Sequence, residues 1–334
     1  MIYHYNGGFK IRINNKLIML CLIICIVCMI SSVAASDTNS TDNQAVSTAD
    51  TVTLDDVSDS ENNEVLKSIN NDSAEETLSV ESNNDKLGVS YIDVTTYSQL
   101  SSAVSSGDKI INIKNDIKFS SMLTIGGNNI VIDGNGYTID CQNTCKAFKI
   151  LSKNDVTLLN INFINGYSTA NDLPSEFTPA TGGGCVIIAN CKNVEVSNCN
   201  FKNMVCTSSS ANKLGSAMVI AAGSNINLNY CVFDNCYTSQ SGGALEFIRM
   251  TQDGVTKYSD NVNADHLTFK NCYTTGGNGG AIEIYVTNSK WSFCTFTNNH
   301  VTSSGGAIGV WDGENNKFIN CTFTDNEGLS TVVL

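Results

Sequence analysis

The chain has 334 residues, with 19 Lys and Arg against 32 Asp and Glu, a net charge of −13 and only two prolines. No basic stripe runs through it, which argues against a nucleic-acid binder. His266 and His300 are the only histidines outside the first 35 residues, and no Cys-x2-Cys pair lies there, so a zinc module is not expected either.

Residues 1–35 carry Lys10, Arg12 and Lys16, the 14-residue apolar run Leu17 to Ile30, and then Val33-Ala34-Ala35. This order predicts an export signal cut near Ala34 or Ala35. An uncleaved leader is the alternative, and the only expected membrane contact. Residues 36–90 are rich in Ser, Thr, Asn and Asp, and hold 13 acids against Lys67 and Lys86. Too polar to bury a core, this stretch reads as a disordered acidic spacer. The acidity of the chain is therefore mostly a property of the spacer. Asn39, Asn71 and Asn320 open formal glycosylation sequons; the last is expected on a strand and so is not expected to be used.

From residue 91 the grammar changes. Tyr97, Leu100 and Val104 recur at helical spacing after Thr96, a candidate N-cap. A short helix here would close the open end of a stack. Runs over 110–113, 130–139 and 156–163 read as strands joined by turns. Asp133-Gly134-Asn135-Gly136 could be a calcium loop, but it lacks the glutamate at the twelfth position and fits a turn better.

The second half is a repeat. Gly-(Gly/Ser)-x-apolar blocks begin at Gly183, Gly215, Gly242, Gly279 and Gly305, and they alternate with Phe blocks at Phe201, Phe233, Phe269, Phe296 and Phe323. Phe269 to Phe296 and Phe296 to Phe323 are each 27 residues. That is short for a βαβ unit, which needs roughly 30 or more, and suits a coil of two or three strands. The pattern predicts an all-β chain: a single-stranded right-handed parallel β-helix over 91–334 with a short N-terminal capping helix. One coil is longer, and Met250 to Gly254 reads as a loop bulging from it.

In register, the repeat sorts side chains into columns. Cys199, Cys231, Cys294 and Cys321 stand two residues before the block Phe, with Leu267 in the odd coil, so Cys and Phe share the inward face. Eleven cysteines lie between Cys141 and Cys321. A disulfide framework and a column of small buried hydrophobes are both open, and the Leu substitution favours the second. Asn203, Asn235, Asn271 and Asn298 follow the block Phe by two and are expected as an inward amide ladder satisfying corner backbone groups.

Glu246 and Glu283 occupy one outward column, and Ile248, Tyr285 and Trp311 the next outward position. Adjacent rungs lie ~4.8 Å apart, near the ~5–5.5 Å between the carboxyls of a retaining glycosidase. The next coil has Gly309 in the acid column, so a solvated sheet face is the plainer reading. These five residues are the candidate surface patch for a sugar or protein. No catalytic residue, cofactor or metal is expected.

The Gly-Gly-Ala-Ile of Gly305–Ile308 and the Phe-x-x-Asn of Phe323–Asn326 resemble the repeats of chlamydial polymorphic outer-membrane proteins. The layout, with segments such as Ile130–Gly136 and Ile319–Thr324, is similar to adhesin-like surface proteins of methanogenic archaea, which join a signal peptide and polar spacer to a pectate-lyase-like β-helix. The resemblance covers roughly residues 91–334. It implies a right-handed helix and a secreted, cell-surface role in attachment or envelope architecture, with glycans or surface proteins as partners. It supplies no catalytic residues, and an anaerobic host would favour a reduced Cys column. The chain stops at Val332-Val333-Leu334 part-way through a coil, which predicts self-association through that end. A polysaccharide lyase or glycoside hydrolase on the same scaffold is the competing expectation.

Overall fold

The computed structural model describes residues 90–169, 172–173, 183–207 and 215–329. The expectations for the leader, the spacer and the last five residues lie outside them. Among the described residues, no helix is long and apolar enough to cross a membrane.

Each coil contributes one strand to each of three faces. The first face runs through Lys109–Ile113, Ile130–Asp133, Asn154–Leu159, Lys192–Ser197, Ser224–Asn229 and Ser259–Asp265; the second through Thr138–Asp140, Asn162–Ile164, Asn200–Cys206, Val232–Thr238, Thr268–Lys270, Thr295–Thr297 and Thr322–Thr324; the third through Phe148–Leu151, Val186–Ala189, Met218–Ala221, Leu245–Ile248 and Ile308–Asp312. Within a face the neighbours are parallel, and the register holds, as in Val194↔Ile226 and Phe201↔Phe233, except for a shift after Ile284 on the third face. Ile282–Ser292 runs unbroken from the third face into the first, which joins those two into one ladder. The chain is a parallel β-helix, whose crossovers take the right-handed sense that twisted strands favour.

Alternation fills the interior. Phe163, Phe201, Phe233, Phe269, Phe296 and Phe323 form one column of stacked rings, with successive centroids 4.9, 5.0, 4.5, 5.0 and 4.9 Å apart. Each such pair adds ~0.5–1.5 kcal/mol beyond the area it buries. The cysteine column is inward as expected. Cys199, Cys231 and Cys294 are buried, and each Sγ points to the carbonyl two residues earlier at 3.3–3.4 Å. All eleven described cysteines are free thiols. Burial pushes the Cys199 thiol up and Cys294 up to about 12, so these behave as small apolar groups.

The helix Tyr97–Ala103 begins at Thr96, whose hydroxyl accepts from the Gln99 amide nitrogen while the Gln99 side chain reaches back to the cap. Leu100, Ala103 and Val104 face the core, and the Tyr97 ring meets Phe119 edge-on at 5.2 Å. The helix therefore covers the first coil. Asp133–Gly136 is a turn: the Asp133 carboxylate accepts from the Asn135 backbone, and Asn135 and Gly136 have φ of 48° and 79°. The long coil carries a hairpin, Met250–Gln252 against Val255–Lys257, turned by Asp253 and Gly254 at φ 52° and 76°.

Two expectations are corrected at the corners. Asn235, Asn271 and Asn298 do bond from coil to coil, with the Asn235 amide donating to Asn203 at 2.9 Å, Asn298 to Asn271 at 2.8 Å, and Asn271 to Asp234 instead of Asn235 at 2.9 Å. Their side chains are exposed, however, because each residue sits in the left-handed region, φ 52–56°, where the strand bends outward. The inward amides are Asn299 and Asn326 instead, with Asn299 fully buried and donating to the Phe269 carbonyl at 3.1 Å. Asn320 likewise lies at an exposed corner with φ 53°, not within a strand.

Candidate functional site

The third face carries the predicted patch. In Leu245–Ile248, Leu245 and Phe247 point into the helix, which sends Glu246 and Ile248 to the other side. Glu246 pairs directly with Glu283 on the next strand, and Glu283 with Gly309 on the one after. The acid column is thus assembled as the sequence implied.

Its exposure is not. Glu246 and Glu283 are both 0% exposed, Ile248 is 2% and Tyr285 is 7%. The glycine blocks explain the acids. A Cβ on Gly242 would lie 3.1 Å from the Glu246 Cβ, and one on Gly215 would lie 2.7 Å from its nitrogen, so backbone is laid over the carboxylate column. Further along the strand, Ile248 joins Leu173, Ile187, Ala189, Val219 and Met250 in a second apolar cluster outside the main core. Four of the five patch residues therefore belong to a covered outer layer.

Trp311 is different. A bulge after Ile284 lets Tyr285 pair with Asp312, which leaves Trp311 out of the ladder and 58% exposed. Gly309 has no side chain to continue the acid column. A groove of about 160 Å³ lies here, lined by Asn278, Ser304, Gly309, Val310 and Trp311.

Two charged groups outside the predicted patch, Arg249 and Asp312, meet beside Tyr285. Asp312 accepts from the Tyr258 hydroxyl at 2.7 Å and lies 3.9 Å from Arg249, whose guanidinium is 5.9 Å from the Tyr285 ring centre. The hydrogen bond to Asp312 pushes the Tyr258 hydroxyl up from its ordinary range. Arg249 and Tyr258 flank the hairpin of the long coil, so the extra length of that coil was the available signal. The arrangement offers an aromatic face, amide and hydroxyl groups and a cation beside a small concavity. Such features suit recognition of a polar ring. Among the described residues, no cluster of metal-ligating side chains is present.

Neither a family model nor a curated protein matches the chain. Among solved structures, a proposed glycosyl hydrolase from Parabacteroides merdae is similar at 10% identity, over 74% of this chain and 96% of that one, with a TM-score of 0.25. The ORF18 protein of Geobacillus virus E2 is similar at 9% identity, over 73% of this chain and 53% of that one, with a TM-score of 0.22.

Proposed function

We propose that this protein is an exported, adhesin-like solenoid that binds saccharide at the Trp311 groove. The observation that carries the reading is the pairing of an exposed Trp311 with a groove floored by Gly309 and lined by Asn278 and Ser304. A pyranose has an apolar face for the indole and hydroxyls for the amide and hydroxyl groups. At about 160 Å³ the groove falls below the ~300–1,000 Å³ of sites that enclose a whole small molecule. It fits a single sugar unit of a surface glycan better than a buried substrate. The leader-like sequence supports export, and cell-envelope or host glycans are the partners this reading names.

The alternative, a polysaccharide-active enzyme, draws on the Glu246–Glu283 pairing. Full burial of both carboxylates counts against it, since neither can reach a glycosidic oxygen without the overlying backbone moving. The test is a glycan array with the full chain, followed by Trp311→Ala. Binding that falls about tenfold or more in the variant, with circular dichroism unchanged, supports the reading; each lost sugar–aromatic contact is of the ~1.4 kcal/mol order that gives a tenfold change. Binding that is absent from the array, or indifferent to Trp311, overturns it. Release of reducing ends that is lost in Glu246→Gln would favour the enzyme.

A further inference from the structure

Cys141, Cys145 and Cys185 stand apart from the column of Cys199, Cys231, Cys294 and Cys321 that precedes the block Phe. Cys141 and Cys145 bracket a tight turn, with Gln142 and Asn143 at φ 55° and 58°, and both the Thr144 and the Cys145 amides donate to the Cys141 carbonyl, at 3.0 and 3.4 Å. Folding back in this way places the Cys145 Sγ 3.6 Å from the Cys141 carbonyl oxygen, to which it donates. Cys185, on the next coil, places its Sγ 3.8 Å from that of Cys141. Gly166 leaves room for the group: a Cβ there would lie 3.0 Å from the Cys185 Cβ and 3.1 Å from its Sγ. Cys141 and Cys185 are buried, whereas Cys145 is partly exposed.

We propose that Cys141, Cys145 and Cys185 form a thiol–disulfide exchange site open to low-molecular-weight disulfides, with Cys145 as the entry thiol and Cys141 as the resolving one. The surroundings differ from those of the column cysteines. The next residue, Lys146, is a buried cation, 5% exposed and paired with Asp172. Burial lowers the Lys146 ammonium, and its charge partly offsets the burial that pushes the Cys206 thiol up. A hydrogen bond with Cys141 lowers the Cys145 thiol, outweighing the partial burial that raises it, while those with Cys145 and Cys185 push Cys141 strongly up. The accessible thiol is thus also more readily ionised than its turn partner Cys141, which is the combination that makes a cysteine reactive.

The steps balance. The Cys145 thiolate attacks one sulfur of a disulfide RSSR; that S–S bond breaks, RS⁻ leaves and takes a proton from water, and a mixed disulfide remains on Cys145. Cys141 attacks the Cys145 sulfur as its proton passes to the departing second RS⁻, which leaves as RSH. Two protein thiols are oxidised and one RSSR is reduced to two RSH. Cys185 can then attack Cys141, moving the bridge across the coils and releasing Cys145 as thiol.

The test treats the full chain with oxidised glutathione and maps bridged peptides by mass spectrometry. The expected product joins Cys141 to Cys145 or to Cys185, with Cys199, Cys231, Cys236 and Cys272 left reduced. Cys145→Ser should slow its formation about tenfold or more, since entry would pass to a buried thiol. Cys141→Ser should stop with glutathione held on Cys145. Because the wild-type map needs no variant, misfolding of either one does not blunt the test. Oxidation of Cys145→Ser at the wild-type rate, or glutathione spread evenly over the column cysteines, would overturn the proposal.

Discussion

At the residue scale the corners of the helix are set by the left-handed region. Three columns turn there. One runs Asp155, Asn193, Asn225, Asn261, Asn288 and Asn315, a second runs Asn165, Asn203, Asn235, Asn271, Asn298 and Asp325, and all have φ of 52–59°. Asn tolerates this geometry and its amide bridges to the next coil, whereas a Cβ residue without that bond loses ~1–2 kcal/mol. Asn235→Ala should therefore cost about 2–3 kcal/mol, adding the lost bond to Asn203. Asn235→Gly, which removes the bond but not the ease of positive φ, should cost about 1 kcal/mol. Denaturant melts of both variants check this, and equal losses would mean that the ladder bond alone matters. The third column breaks the rule. Its members are Asn160, Asn198, Tyr230, His266, Phe293 and Asn320, all at φ 51–54°. In the middle three coils rings replace amides and stack at 4.8 and 5.0 Å. Each stacked pair recovers ~0.5–1.5 kcal/mol, which offsets the backbone cost. The column of Asn203, Asn235, Asn271 and Asn298 was legible as a corner ladder because Asn marks such turns, but its outward direction was not, nor was the column from Asp155 to Asn315. The ring column was not, since Tyr, His and Phe carry no turn signal and line up only once the coils are in register.

At the scale of elements, the glycine blocks do two jobs that spacing alone does not separate. Gly279 supplies a left-handed turn at φ 71°. Its neighbour Gly280 has no positive φ, but a Cβ there would lie 2.0 Å from the Gly306 carbonyl oxygen on the following coil. Gly280→Ala must push two coils apart and should cost about 3 kcal/mol or more, in the range of overpacked cores. Gly254, in the hairpin turn, has φ 76° with nothing within 4 Å of a Cβ, so Gly254→Ala should cost only about 1 kcal/mol of backbone strain. Comparing the two melting transitions tests whether close approach, not turn geometry, fixes the glycine at 280. The same blocks explain why the acid column was misjudged. Alternation along Leu245–Ile248 shows which side of the sheet Glu246 takes. It does not show that side to be covered, because the cover comes from Gly215 and Gly242, and for Ile248 from a cluster reaching to Leu173.

For the molecule as a whole, stacking makes stability a local property. Each coil touches only its neighbours, so the free energy to open a segment depends on how many sides of it are packed. The two ends differ in this respect. The first coil lies under the helix Tyr97–Ala103, with Phe119 fully buried against Tyr97 and Phe148. At the other end, Thr322–Thr324 is exposed throughout, Phe323 is 42% exposed and Ile319 is 40% exposed, although Phe323 still stacks on Phe296. The strand is held on one side by Thr295–Thr297, with bonds such as that from the Thr322 amide to the Cys294 carbonyl at 2.8 Å. Native-state hydrogen exchange should therefore show a gradient. Amides of Thr322–Thr324 should exchange first and those of Thr295–Thr297 next, while Val232–Thr238, packed by coils on both sides, should approach the global limit. If the exposed edge of Thr322–Thr324 pairs with another copy, its protection should rise with protein concentration while that of Val232–Thr238 stays fixed. A gradient independent of concentration would leave fraying of a single coil as the whole explanation, and uniform protection along the stack would rule out neighbour-limited stability altogether.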